Sequence, residues 1–315
     1  MAGVLVCGAL LIDKYLLVDK HPARSAEGRI LNCFDTMGGC AVNMAKTLKI
    51  LGDDPHVVSF VGDDSPGAEI MDAMVEKGFS TDCVRRTPGE TGYCIVILEP
   101  DGERTFLTYN GCETKYSDLL IPDSVTLSCR VAAVTGYYLI GDSAKVLIER
   151  LKVFKASGRH IVFDPSPLVE KIQMRDINEM LSICDVVTPN EVEAETLAGF
   201  AGMATAEQWA YSLNSKGCAV IITSGGAGGK LYQNGKSFPY AAAEAEAVDT
   251  TGAGDSFTGA IAYALGNGIH LEKAVLLAAS TAAVTASGKG PHVDFDISRL
   301  TPEAQAIWEE SRNAG

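Results

Sequence analysis

Short apolar runs alternate along this chain with segments whose apolar positions recur every three or four residues. The runs 3–12, 56–61, 131–138, 159–164, 185–188 and 218–223 read as buried strands, because a strand covered on both faces is apolar without alternation. Between them, 40–51, 66–77, 143–156, 190–198 and 205–216 carry the helical period. Strands alternating with helices are the mark of βαβ units and a mainly parallel sheet. Asp142 and Ser143 are placed to cap helix 143–156, Gly158 lies just past its end, and Pro189 precedes the helix that begins near Asn190. In the last third, 255–267 and 271–287 are two Ala-rich helices in succession, whose small side chains allow close packing.

One region departs from this rhythm. Residues 92–99 and 103–110 are extended, and Pro100-Asp101-Gly102 between them predicts a hairpin with an Asp-Gly turn. With 14–19 and 30–35 they predict a small sheet outside the main layer, placed as a lid over a cleft. The expected division is a large α/β domain over 1–12, 36–90 and 112–315, with a lid over 13–35 and 91–111. Cys94, Val96 and Leu98 alternate in the lid with Tyr93, Ile95 and Ile97, so both faces call for cover. A homodimer joined through the lids is the expected consequence.

Composition narrows the function. Of 315 residues, 47% are hydrophobic and 21% charged, enough for a sizeable core and unlike a disordered chain. Acidic residues outnumber basic ones 40 to 26, and the formal charge of −14 opposes phosphate backbones and anionic lipid. Nucleic acid and membrane partners are therefore not expected. The nine cysteines are scattered and never spaced as C-x-x-C, which fits a reduced, cytoplasmic protein. No apolar run approaches the roughly 20 residues needed to span a bilayer, and 3–12 lacks a basic leader.

Four segments carry candidate chemistry. In Asp249-Thr250-Thr251-Gly252-Ala253-Gly254-Asp255 the glycines let successive amides open outward at the first turn of helix 255–267, a cradle for a phosphate. Asp255 stands at that turn, where a general base for phosphoryl transfer to an alcohol is needed, or where a simple helix cap would stand. Gly38-Gly39 opens helix 40–51, with Asn43 one turn in, and allows either close approach of a ligand or only a tight turn. Asn190 and Glu193 follow strand 185–188 at the sheet edge where α/β ligands bind. They are placed to orient hydrated Mg²⁺ and phosphate, or to form a solvated first turn. Thr223-Ser224-Gly225-Gly226-Ala227-Gly228 follows strand 218–222 and is neither a P-loop nor a dinucleotide fingerprint; alone it reads as a hairpin connection.

Together, in this order, the four segments resemble the ribokinase (PfkB) family of carbohydrate kinases, over residues from about 3 to about 290. The resemblance implies a three-layer α/β/α sandwich with a small β-sheet lid, and ATP-dependent, Mg²⁺-assisted phosphorylation of a sugar. It implies Asp255 as the base and the amides of Ala253, Gly254 and Asp255, freed by Gly252, as the hole for phosphate charge. Asn190 and Glu193 would organise Mg²⁺ through water, and Thr223, Gly225 and Gly228 would line the nucleotide site. Gly38, Gly39 and Asn43, with Asp13 at the end of the first strand, would hold sugar hydroxyls.

In many family members a monovalent cation such as K⁺ binds around Asp249, Thr251 and a loop after the Ala-rich helix. Here Lys289 in the loop 286–290 could fill its place. Leu11 and Thr135-Gly136-Tyr137-Tyr138 depart from ribokinases proper and weigh against ribose. The same motifs serve nucleoside kinases, for which Phe34, Phe106 or Tyr109 would wall a base, and a non-catalytic sugar or nucleotide sensor is the rival outside enzymes. Arg104 shares a strand face with Phe106 and is expected at its solvated edge, which leaves Asp13 to favour a neutral substrate.

Overall fold

The computed structural model describes residues 3–116, 118, 121–141, 143–288 and 294–313. The chain begins with β1 (Gly3–Cys7), β2 (Leu11–Val18), β3 (Ile30–Gly38), α1 (Cys40–Ile50), β4 (Pro55–Gly62) and α2 (Ser65–Glu76). It continues with β5 (Val84–Thr87), β6 (Tyr93–Leu98), β7 (Arg104–Tyr109), α3 (Asp123–Ser128), β8 (Cys129–Thr135), α4 (Ala144–Ala156) and β9 (His160–Asp164). Next come α5 (Met174–Ile183), β10 (Val186–Val187), α6 (Glu191–Phe200), α7 (Ala206–Asn214), β11 (Ala219–Thr223), β12 (Gly229–Gln233) and β13 (Lys236–Tyr240). The helices α8 (Ala253–Gly266), α9 (Leu271–Ala286) and α10 (Pro302–Asn313) complete it.

Nine strands form one sheet in the order β13-β12-β11-β10-β9-β8-β1-β4-β5. All its pairs are parallel except the two that attach β12 and β13. Successive side chains of a strand leave by opposite faces, and β1 shows both faces covered. Val4 and Val6 join one core with Met44 and Leu48 of α1, Ile261 of α8 and Leu277 of α9. Leu5 and Cys7 join the other, with Leu151 of α4, Leu197 of α6 and Trp209 of α7. This is the layered α/β architecture that the resemblance implies, with helices on either side of the sheet.

A second sheet has the order β3-β2-β6-β7, with β2 and β6 parallel and the outer pairs antiparallel. The hairpin turn lies where the sequence places it, with Gly102 at φ 93° and its amide on the carbonyl of Glu99.

The expected strand 3–12 is in fact two. It leaves the large sheet after Cys7, the Leu10 amide donates to Ser59 Oγ at 3.0 Å, and the chain enters the small sheet at Leu11. Asp13 therefore stands inside β2 and not at the end of the first strand. The expected strand 131–138 ends at Thr135, because a side chain at Gly136 would collide with the Pro165 carbonyl, and Gly136–Leu139 turn in a 3₁₀ helix. Ser143 begins α4 without capping it: its hydroxyl donates to the Thr114 carbonyl and accepts from the Tyr116 amide. Asp142 lies outside the described residues. Unforeseen elements are the edge strands β5 and β13 and the helices α3, α5 and α10.

Candidate active site

Asp255 and Asn43 meet where the first turns of α8 and α1 come together. Gly39 begins α1 at φ 103°, where a side chain would strike the Ala9 carbonyl, and this turn carries Asn43 inward. Asn43 Nδ2 donates to Asp255 Oδ2 at 2.7 Å, and the Cys40 thiol also bonds to the Asp255 carboxylate. Burial pushes the Asp255 carboxyl up to about 6, while these two hydrogen bonds oppose the rise. Asn43 Oδ1 is buried and has no hydrogen-bond partner among the described residues, which leaves one acceptor for a ligand hydroxyl.

Asp13 faces the same space from β2. A side chain on Gly38 would occupy the position of its carboxylate, so the glycine gives Asp13 room. Burial, and then the charge of Asp255, push Asp13 up to about 7. Tyr15 lies two residues along and shares its face; its hydroxyl is buried and has no hydrogen-bond partner among the described residues. Across the strands the register places Phe34 beside Tyr15 and Phe106 beside Val96 on that same face. Tyr15 and Phe34 stack at 4.8 Å and 6°, and the outer side of Phe34 is open to solvent.

The turn expected to cradle phosphate is built on Gly252, the N-cap of α8, at φ 76°. The first amides of a helix have no carbonyl one turn back. Here the Ala253 amide is taken by the Thr250 carbonyl at 3.2 Å, while those of Gly254 and Asp255 have no acceptor among the described residues. A side chain added at Gly254 would meet only open space. The cradle thus offers two free amides where the sequence reading expected three.

Arg104 is not at a solvated edge. Its guanidinium crosses from β7 to pair with the buried Asp249 carboxylate, and Nη1 donates to Thr251 Oγ1 at 3.2 Å. The two side chains expected to hold a monovalent cation are therefore bonded to an arginine. Lys289 lies outside the described residues.

At the carboxyl ends of β9 and β10 two further carboxylates continue the acidic row. Asp164 accepts from the Ser166 amide at 2.9 Å and from Thr258 Oγ1 at 3.3 Å. Its carboxyl is raised well above its ordinary value by burial, then by the charges of Glu193 and Asp255. Glu193 and Asn190 form a capping box. Glu193 Oε2 accepts from the Asn190 amide, Oε1 accepts from Asn190 Nδ2, and Asn190 Oδ1 accepts from the Glu193 amide. Glu193 is buried, and this raises its carboxyl against the pull of those bonds. Asn190, Glu191 and Val192 of this turn are exposed, but Glu193 is turned inward and held by both ends of Asn190.

Thr223 ends β11 beside Asn190, and its amide donates to the Pro189 carbonyl at 2.9 Å. Gly225 and Gly228 have φ of 54° and 90°, and a side chain at Gly228 would strike the Tyr240 carbonyl. A cavity of about 500 Å³ next to this loop is lined by Glu191, Glu195, Glu207 and Lys230. Lys230 already pairs with Glu207, so this lining repels a triphosphate.

The structure therefore gathers Asp13, Gly38, Gly39, Asn43, Gly252, Ala253 and Gly254 around the Asp255 carboxylate. Asn190, Glu193, Thr223, Gly225 and Gly228 follow along the same carboxyl edge of the sheet. Cys40, Asp164, Tyr15 and Tyr137 were not singled out as site residues. Tyr137, whose hydroxyl is raised by burial and then by the charges of Cys40, Asp255 and Asp164, joins the group through the unforeseen 3₁₀ turn. Asp164 could have been found as the acidic residue ending a buried strand at the ligand edge.

A layered α/β fold with a phosphate cradle and a carboxylate beside it defines a phosphotransferase class of site. The chain belongs to the pfkB family of carbohydrate kinases, whose model matches residues 1–296. It is 27% identical over 293 residues to an Escherichia coli (strain K12) protein named uncharacterized sugar kinase YegV, covering 91% of this chain and 89% of that protein. Among solved structures it is similar to Arabidopsis thaliana ribokinase complexed with ribose and ATP, with a TM-score of 0.79 and 23% identity over 99% of both chains. It is also similar to the Burkholderia thailandensis nucleoside kinase in complex with inosine, with a TM-score of 0.75 and 20% identity over 99% of this chain and 96% of that one. At these identities the two structures show the fold alone. Among the described residues no helix is long and apolar enough to cross a membrane.

Proposed function

We propose that this protein transfers the γ-phosphoryl group of ATP, with Mg²⁺, to a hydroxyl of a small neutral sugar. The observation that carries this reading is Asp255, bonded to Asn43 and standing between two free cradle amides and the Asp13 carboxylate. The substrate hydroxyl gives its proton to Asp255 as its oxygen attacks phosphorus, and the amides of Gly254 and Asp255 take up charge on the transferred group. Asp13 and Asn43 Oδ1 hold neighbouring hydroxyls.

Among the described residues no group of three or more His, Cys, Asp or Glu side chains forms a metal cage. Mg²⁺ is commonly held by phosphates and water with one or two carboxylates; Glu193 and Asp164 would orient the water. The nucleotide lies along Thr223, Gly225 and Gly228, and the small sheet, 13–35 with 91–111, acts as the lid of the remaining catalytic domain. All nine cysteines are free, which suits a reducing cytoplasm.

The charge of Arg104 is answered by Asp249, so this arginine is not a free cation for an acidic substrate, and a neutral one is favoured. A second reading, a nucleoside kinase, draws support from the Tyr15–Phe34 stack, whose open side could receive a base. A non-catalytic sensor would have no use for the Asp255 arrangement.

The test is ADP formation with a panel of neutral sugars, nucleosides, sugar acids and sugar phosphates. A neutral sugar giving the highest kcat/KM supports the proposal. A nucleoside in that place selects the second reading, a sugar acid or phosphate overturns the charge argument, and no turnover with any of them supports the sensor.

A further inference from the structure

The loop that leads into the phosphate cradle runs Asp249-Thr250-Thr251-Gly252, and the side chains of Asp249 and Thr251 share one cation. Arg104 Nη1 pairs with Asp249 Oδ1 and donates to Thr251 Oγ1. Asp249 Oδ1 also accepts from the Thr251 amide at 2.9 Å, so the arginine closes a ring already begun by the backbone. The carboxylate is fully covered and the guanidinium nearly so, at 0% and 14% side-chain exposure. On the other side, the Ala286 carbonyl at the end of α9 accepts from the amides of both Val248 and Asp249, at 2.8 and 2.9 Å. Both lone pairs of that oxygen are used. A monovalent ion at this loop would need the Asp249 carboxylate, the Thr251 hydroxyl and nearby carbonyl oxygens. Here the first two are bonded to a guanidinium and the Ala286 oxygen is bonded to amides. Among the described residues, Asp249, Thr251 and Ala286 do not fit a K⁺ site.

We propose that Arg104 is the built-in counterpart of that ion: a cation delivered by the small sheet to the Asp249–Thr251 turn, which makes the kinase independent of monovalent cations. The charge and the ligands are the same in kind. One unit of positive charge neutralises Asp249, ties it to Thr251 and fixes the turn from which the Gly254 and Asp255 amides open. A free ion is set by its concentration, whereas Arg104 is always charged and comes with strand β7. A second cation beside the guanidinium is repelled. Arg104 is thus a positioning residue that acts through Asp249 and Thr251, and it couples the seat of the small sheet to the shape of the cradle.

The inference rests on the kinase reading for its consequence, and it is tested with and without turnover. Wild-type protein, Arg104→Ala and Arg104→Lys are compared in KCl and in tetramethylammonium chloride at equal ionic strength. The first readout is kcat on the best substrate, and the second is the melting temperature of the protein alone. Wild type should turn over equally in the two salts, within about twofold, and show no K⁺-specific rise in melting temperature. Arg104→Ala opens the turn. It should lose about tenfold or more in kcat in tetramethylammonium, recover in KCl, and melt higher in KCl; a lost charge-assisted pair is of this size. Arg104→Lys, which keeps the charge, should lie between them and respond less to K⁺.

Activation of the wild type by K⁺ overturns the proposal. So does an Arg104→Ala protein that stays fully active without K⁺, or that neither recovers nor gains a K⁺-specific melting shift. If no substrate is turned over by any variant, the kinase reading fails, and the melting shift of Arg104→Ala still decides the inference.

Discussion

Asn43 donates its side-chain amide to the Asp255 carboxylate across 2.7 Å, joining residues 212 positions apart in the sequence. The bond holds a half-buried carboxylate against the cleft, and it favours the ionised form in a place where burial disfavours it. The value of about 6 that results is low enough for Asp255 to be a base at neutral pH and high enough for it to accept a proton in the transition state.

The pH dependence of catalysis follows. A base must be deprotonated, so kcat/KM should fall as the pH drops through about 6. Asp13 and Asp164 lie close by, so this limb belongs to the cluster. Asn43→Ala removes a bond to the ionised form and should move the limb upward by about one pH unit. A limb that stays in place would mean that Asn43 acts only on the substrate.

Asp13 carries a cost in stability. Its carboxyl is raised to about 7 in the folded protein, whereas an unfolded aspartate titrates near 3.9. Between those values the folded state binds more protons than the unfolded one, so this group makes stability fall as the pH rises from about 4 to about 7. Asp13→Asn should therefore be more stable than wild type at pH 8, by on the order of 1–3 kcal/mol, with the gain gone near pH 4. The same variant should bind sugar poorly. Chemical denaturation at the two pH values checks this, and equal stability at pH 8 would show that Asp13 is not penalised by burial.

Glu193 does two things that can be separated. Both of its oxygens accept from Asn190, so Glu193→Gln turns a donor toward a donor and weakens the start of α6 by about 1 kcal/mol. If the carboxylate also orders water around Mg²⁺, the concentration of Mg²⁺ at half-maximal rate should rise several-fold. A lowered melting temperature with an unchanged Mg²⁺ titration would leave Glu193 a cap alone.

The outer strands of the small sheet expose Ile30, Leu31, Phe34, Phe106, Leu107 and Tyr109. Two apolar edge strands on one sheet are a pairing surface. Light scattering at micromolar concentration should report a dimer, and Leu107→Glu should shift it to a monomer. A monomeric wild type would mean that these residues serve the cleft only.

Much of this was legible in the sequence, for reasons that differ from element to element. The strands of the large sheet are buried on both faces, so their apolar runs stand out. The cradle and the Gly38-Gly39 turn are legible because glycine is required by backbone that other residues cannot adopt, as at φ 103° for Gly39 and 76° for Gly252. The run 3–12 hid a change of sheet, since both halves are apolar and only the Leu10–Ser59 bond, made to a distant strand, separates them. The short edge strands β5 and β13 bury few side chains and leave a weak pattern. Arg104 was misplaced because the two-residue period gives the face of a strand but not what stands opposite it, and Asp249 lies 145 positions away. Cys40 was read only as the first residue of helix 40–51, and only the meeting of α1 with α8 shows its thiol on Asp255.

The most direct test of the account is the Asp255→Asn variant, which keeps size and one acceptor oxygen but cannot take a proton. With the best neutral substrate, kcat should fall by about 10²–10⁴-fold while ATP still binds with near wild-type affinity, measured by calorimetry on the same protein. A variant that retains more than about a tenth of the wild-type kcat would contradict the account, because Asp255 would then be only an acidic residue of the first turn of α8.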